Sequence, residues 1–110
     1  MTTCFLGLGS NLNPPKRQLH QAIHNIKHLP LTQLKKVAPI YQSIPAGVTP
    51  TSQPAYYNTV AMVETKLPCD ELLKQCQAIE KKQHRIRKAR FSARTIDIDI
   101  LLYGMQKIQS

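Results

Sequence analysis

The chain has 110 residues, one domain's length, with 42% hydrophobic and 19% charged residues and a formal net charge of +9. A domain of this size buries roughly two thirds of the surface its unfolded chain exposes, so a true core is expected. No apolar run approaches the roughly 20 residues that span a bilayer, and Met1-Thr2-Thr3-Cys4-Phe5 lacks the basic and long apolar regions of a secretion signal, so the expectation is a cytoplasmic protein with no membrane partner.

The positive charge is local. Lys81, Lys82, Arg85, Arg87, Lys88, Arg90 and Arg94 bring seven positive charges with no acid among them, while the rest of the chain carries only +2. That concentration calls for a polyanion at one place, either nucleotide phosphates or nucleic acid. Cys4, Cys69 and Cys76 form no C-x-x-C pair and read as small apolar side chains in a reducing compartment.

Taken in order, Cys4 to Gly9 reads as a short buried strand running into Ser10-Asn11, a turn and helix-cap signal. Pro14 and Pro15 suit a first helical turn. Leu19, Ala22, Ile23 and Ile26 then keep the spacing of one helix face until Pro30 stops it. Gly7 and Gly9 lack the third glycine and following acid of a dinucleotide fingerprint, and there is no Walker A loop. His20, His24 and His28 form a stripe opposite the apolar face without a further ligand type, which marks a solvated face rather than a zinc site.

Leu31 to Tyr41 is predicted as an edge strand interrupted by Pro39, followed by a long Pro/Thr/Ser/Gly-rich loop from Gln42 to Ala55. Tyr56 to Thr65 follows as a strand with Tyr56, Asn58, Val60 and Met62 on one face and Tyr57, Thr59, Ala61 and Val63 on the other. It is apolar on both faces, as expected of a central strand covered on both sides. A second helix starts near Leu67-Pro68-Cys69, with Asp70 and Glu71 in its favoured first turn, and runs into the basic segment.

The last strand is the most informative. In Arg94-Thr95-Ile96-Asp97-Ile98-Asp99-Ile100-Leu101-Leu102 the isoleucines leave one face and the two carboxylates the other, about 7 Å apart by strand geometry. Such a pair needs a cation, a proton or a basic partner to offset its repulsion, and Mg²⁺ shared with substrate phosphates suits it. Solvated carboxylates paired with the nearby arginines are the alternative. Tyr103-Gly104 closes the strand, and Met105 to Ser110 reads as a polar tail. The order of elements predicts an α+β fold, a ferredoxin-like βαββαβ arrangement with an antiparallel sheet and both helices on the Ile96/Ile98/Ile100 face. Val60, Met62, Leu101 and Tyr103 are expected on the open face, where their apolar surface suggests a homodimer.

Several of these stretches together resemble one family. Gly7-Leu8-Gly9-Ser10-Asn11-Leu12, Ser43-Ile44-Pro45-Ala46-Gly47, Gln53-Pro54-Ala55-Tyr56-Tyr57-Asn58, Arg85-Ile86-Arg87-Lys88 and the R-T-x-D-x-D-I-L box from Arg94 to Leu101 are similar, in this order, to 6-hydroxymethyl-7,8-dihydropterin pyrophosphokinases. The resemblance implies Mg-dependent transfer of pyrophosphate from ATP, the co-substrate, to the pterin hydroxymethyl group in folate biosynthesis. By resemblance Asp97 and Asp99 hold two Mg²⁺ ions. Ser43, Ala46, Tyr56, Asn58 and Asp97 bind the pterin; Gln77, Glu80, Arg85, Arg87, Arg94 and Ile100 line the nucleotide, with Arg85 and Arg94 joining the aspartates as catalytic residues. Phe91-Ser92-Ala93 stands where the family has Trp-Gly-Pro. The resemblance also gives one domain, 1–110, without the family's C-terminal third, and so an expectation of impaired turnover. Two other readings compete: a non-catalytic pterin- or nucleotide-binding relative, and a small RNA-binding module, which the shortage of aromatic residues disfavours.

Overall fold

The computed structural model describes residues 1–10, 15–43, 56–84 and 96–107. The elements are β1 (Thr2–Ser10), α1 (Pro15–Lys27), β2 (Thr32–Val37), β3 (Tyr41–Ser43), β4 (Tyr56–Thr65), α2 (Cys69–His84), β5 (Asp97–Tyr103) and β6 (Gln106–Lys107). They form an α+β domain with one antiparallel sheet in the order β2-β4-β1-β5-β6, and β3 pairs with β4 beyond the end of β2. This order is compatible with the expected βαββαβ scheme.

Strand parity decides which face is covered. Cys4, Leu6 and Leu8 on β1 lie opposite Val63, Ala61 and Thr59 on β4, and Leu6 and Leu8 lie opposite Ile100 and Ile98 on β5. All of these are buried, together with Leu19, Ala22 and Ile26 of α1 and Leu72, Cys76 and Ile79 of α2. Both helices therefore press their apolar stripes onto one face. The i, i+3, i+4, i+7 spacing of α1 supplies the stripe, and His20, His24 and His28 lie exposed. Burial pushes the Cys76 thiol up to about 12, with the charges of Glu80, Cys4 and Asp99 adding to the effect.

The predicted edge strand is split by its proline. β2 ends at Val37 and β3 begins at Tyr41, with Pro39 between them. The break stays tied to β4, because Ala38 N–H donates to Val60 O at 2.8 Å and the Thr59 hydroxyl donates to Ala38 O at 2.6 Å. Leu31, with a φ of 54°, turns the chain into β2. Its carbonyl accepts from Lys66 N–H at 2.9 Å and from the Thr65 hydroxyl at 3.3 Å.

Three expectations are corrected. Gln106–Lys107 is a strand rather than tail, paired with Leu102 and Tyr103 through a two-residue turn whose first residue, Gly104, has a φ of 60°. Glycine at that position is what a tight hairpin demands. Tyr103 does not lie on the open face. The β1–β5 register slips between Phe5 and Leu6, so that Tyr103 stands opposite Cys4 on the helix side, and its hydroxyl donates to Leu67 O at 2.5 Å. A bulge carries an extra residue, and the strand beyond it changes face. Among the described residues β4 is covered by helices on one face only, since Asn58, Val60 and Met62 are half-buried on the other.

Candidate functional site

The sheet face without helices among the described residues carries the chemistry. The register aligns Tyr41 of β3 with Asn58 of β4, Asn58 with Gly9 of β1, and Gly9 with Asp97 of β5. One level further along, Val60, Gly7 and Asp99 align in the same way. Directly opposed residues share a face, so an aromatic, an amide and two carboxylates surround two glycines in the central strand. The result is a cleft of about 270 Å³ lined by Gly7, Gly9, Tyr41, Tyr56, Asn58, Asp97, Asp99 and Leu101, among others.

The glycines are its floor. A Cβ on Gly9 would come within 2.4 Å of Tyr56 Cε1 and 3.0 Å of Asn58 Oδ1, and one on Gly7 would meet the Leu101 methyls at 3.3 Å. Glycine within a strand weakens it, and a close approach from above is the usual reason for one. Here the Tyr56 ring edge passes over Gly9, and its hydroxyl donates to Asp97 Oδ2. Asp97 is half-buried and Asp99 exposed. From the helix side Glu80 Oε2 accepts from Ile98 N–H at 2.7 Å, which anchors the backbone between the two aspartates to α2.

Tyr56, Asn58, Asp97 and Asp99 thus come together at one cleft. Ile100 does not face it: its side chain is wholly buried in the core, which leaves only its backbone to meet a ligand. Gln77 is exposed on α2. The assignments to Ala46, Arg85, Arg87 and Arg94, and to the side chain of Ser43, lie outside the described residues. Tyr41, Gly9 and Leu101 were missed. Gly9 carried a readable signal, because a glycine amid buried strand residues implies a neighbour's approach. Tyr41 shows its partner only once Pro39 is known to restart the strand on β4.

A sheet face with an aromatic, an amide and paired carboxylates beside two glycines has the chemistry to take a flat polar ring and a cationic or metal-bound group. Comparison with known proteins narrows the class. The family model for 7,8-dihydro-6-hydroxymethylpterin-pyrophosphokinase matches residues 5–109, and the chain belongs to that family. Over all 110 residues it is 46% identical to the 2-amino-4-hydroxy-6-hydroxymethyldihydropteridine pyrophosphokinase of Haemophilus influenzae and spans 68% of that protein. Over 102 residues it is 44% identical to the Pseudomonas aeruginosa enzyme of the same name, with 93% of this chain and 62% of that one aligned. The corresponding Pseudomonas putida protein is 40% identical over 102 residues, of which 82% of its length is covered. The family is one of transferases in folate biosynthesis that use ATP and a dihydropterin. No helix among the described residues is long and apolar enough to cross a membrane.

Proposed function

We propose that this chain binds 6-hydroxymethyl-7,8-dihydropterin in the cleft lined by Tyr41, Tyr56, Asn58 and Asp97 and promotes Mg-dependent transfer of pyrophosphate to it from ATP. The observation that carries this reading is the convergence of Tyr56, Asn58, Asp97 and Asp99 on one cleft. Tyr56 offers a stacking surface for the ring and Asn58 an amide able both to donate and to accept at the ring edge. In the reaction the pterin hydroxymethyl oxygen bonds to the β-phosphorus of ATP, the bond from that phosphorus to the bridging α–β oxygen breaks, AMP leaves and the hydroxyl proton is released. Such a transfer depends on positioning and charge neutralisation more than on covalent catalysis.

The donor set fits magnesium. Asp97 and Asp99 project side by side from β5 onto the open face, and among the described residues no third His, Cys, Asp or Glu joins them in a closed cage. One or two carboxylates completed by water and phosphate oxygens is the usual way Mg²⁺ is held. When bound, the metal supplies positive charge to the phosphates, and two ions are the family-based expectation. Gln77, Glu80, Arg85, Arg87 and Arg94 are assigned to the nucleotide, and Ser43 and Ala46 to the pterin, by resemblance. Glu80 has a second task in holding Ile98, and so in setting the stance of both aspartates.

Calorimetry of the parent chain with the pterin and with a non-hydrolysable ATP analogue plus Mg²⁺, paired with an AMP-release assay, tests the proposal. Saturable binding of both ligands with AMP formed only when pterin is present supports it. Absence of pterin binding refutes it. Binding of both without turnover leaves the non-catalytic relative.

A further inference from the structure

We infer that Tyr56 is a positioning residue for the cation site: its hydroxyl, carried across the bare backbone of Gly9, fixes the Asp97 carboxylate in the orientation that takes the metal. This rests on the function proposed above and adds to Tyr56 a task separate from stacking. Tyr56 belongs to β4 and Asp97 to β5, with β1 between them. Their strands lie two inter-strand spacings of about 4.8 Å apart, and Tyr56 is two residues along β4 from Asn58, the residue level with Asp97, so the ring has to cross β1 diagonally to reach the carboxylate. It does so at Gly9, where a side chain would collide, 2.4 Å from Cε1 to the position of a Cβ. The hydroxyl then donates to Asp97 Oδ2.

Each carboxylate oxygen has two lone-pair sites, so a phenol bond and a metal bond to Asp97 are compatible. Mg²⁺ demands near-ideal octahedral geometry, so the angle at which a carboxylate is presented matters to it. Hydrogen bonds to ligating carboxylates set that angle, and their loss typically weakens metal binding by about 10–100-fold. Tyr56 also lines the cleft, and the group that orients Asp97 is therefore in contact with the space proposed for the pterin ring. Ring and cation sites are joined through one side chain.

The test uses Mn²⁺ as the probe, read by electron paramagnetic resonance with a non-hydrolysable ATP analogue present. Tyr56→Phe and Gly9→Ala should each weaken Mn²⁺ binding by about 10–100-fold. Tyr56→Phe/Gly9→Ala should be no worse than the weaker single variant, because both changes remove the same bond. Analogue binding in the presence of a chelator should stay at the parent's level. Parent-like Mn²⁺ affinity in Tyr56→Phe overturns the inference, and additive losses in the double variant overturn the part given to Gly9. If Gly9→Ala does not fold, Tyr56→Phe decides alone, since it removes a single oxygen. Asp97→Asn separates this inference from the reading beneath it. Weaker Mn²⁺ binding in Asp97→Asn with none in Tyr56→Phe removes only the tether, whereas no change in either removes the cation site itself.

Discussion

Asn58 and Asp97 stand at one level of the sheet on either side of Gly9, each directly opposite it, and both face the same cleft. The amide and the carboxylate are two strands apart, so a ligand held by Asn58 need not touch the proposed cation ligands. Asn58→Ala should therefore weaken pterin binding by about tenfold, near the worth of one lost hydrogen bond in a desolvated site, and leave Mn²⁺ affinity at the parent's level. Calorimetry with each ligand separately checks this. Equal losses for both would mean that Asn58 supports the floor rather than the ring.

Asp97→Asn and Asp99→Asn should each remove a charge-assisted ligand and weaken Mg-ATP binding by about 1.5–3 kcal/mol. Asp97 should be the more sensitive position, because it is half-buried and bonded to Tyr56, whereas Asp99 is exposed. Isotherms with the ATP analogue and Mg²⁺ measure both. Parent-like affinity in both variants would place the nucleotide elsewhere.

Thr65 holds the β2–β4 end of the sheet to the start of α2. Its fully buried hydroxyl lies 2.8 Å from Thr32 Oγ1, accepts from Leu67 N–H at 3.0 Å and donates to Leu31 O at 3.3 Å. Thr65→Val keeps the shape and takes the acceptor from the buried Leu67 N–H, while Leu31 O keeps Lys66 N–H and the Thr32 hydroxyl keeps Pro30 O, so a loss of about 1–3 kcal/mol is expected from that one group. For a domain near this size that lowers the melting temperature by about 4–8 °C per kcal/mol. Calorimetric melting decides, and a parent-like Tm would show that Leu67 N–H finds another acceptor.

What the sequence made legible were the long periodic elements. β4 runs from Tyr56 to Thr65 as its alternation predicts, and the isoleucines of β5 enter the core while its aspartates stay out. Alternation is a property of each strand alone, so it survives without knowledge of neighbours. The rest depends on pairing. The slip between Phe5 and Leu6 that turns Tyr103 towards the helices arises between two strands, and nothing in the Leu101-Leu102-Tyr103 pattern announces it. β6 has only two residues, too few for any period, and Gly104 was its sole signal. Alternation put Tyr56 and Asn58 on one face and the family resemblance matched them to a ring, but the tie from Tyr56 to Asp97 required the strand order that puts Gly9 between them.

The open face gives the expectation of self-association. Phe5, Val37, Ala38, Val60 and Met62, with Lys36, line a largely apolar groove of about 240 Å³ beside the cleft, and Val37 and Leu101 are 39% and 42% exposed. We expect a homodimer that buries part of this face at the groove, in a two-fold contact that is self-complementary. Sedimentation equilibrium in the tens of micromolar range should give twice the chain mass, and Met62→Lys should shift it towards monomer. A monomeric parent at that concentration would end the expectation.

Cys76 gives a prediction about alkaline stability. Burial first, then the charges of Glu80, Cys4 and Asp99, raise its thiol from the usual 9.0 to about 12, and burial raises Cys4 in the same direction. A folded thiol that holds its proton more tightly than the unfolded one favours the folded state only while the unfolded chain is also protonated. Its contribution is therefore complete below about pH 9 and is lost progressively as the pH climbs towards about 12, because the unfolded state releases the proton first. Alkaline pH acts on more than this one thiol, so the informative quantity is a difference between proteins. Cys76→Ala should be less stable than the parent at neutral pH, by the cavity it leaves in the core. Its urea midpoint should then fall less steeply than the parent's between about pH 8 and about pH 11. The two curves should converge as the pH rises, and parallel curves would show that the Cys76 proton contributes nothing to the alkaline loss.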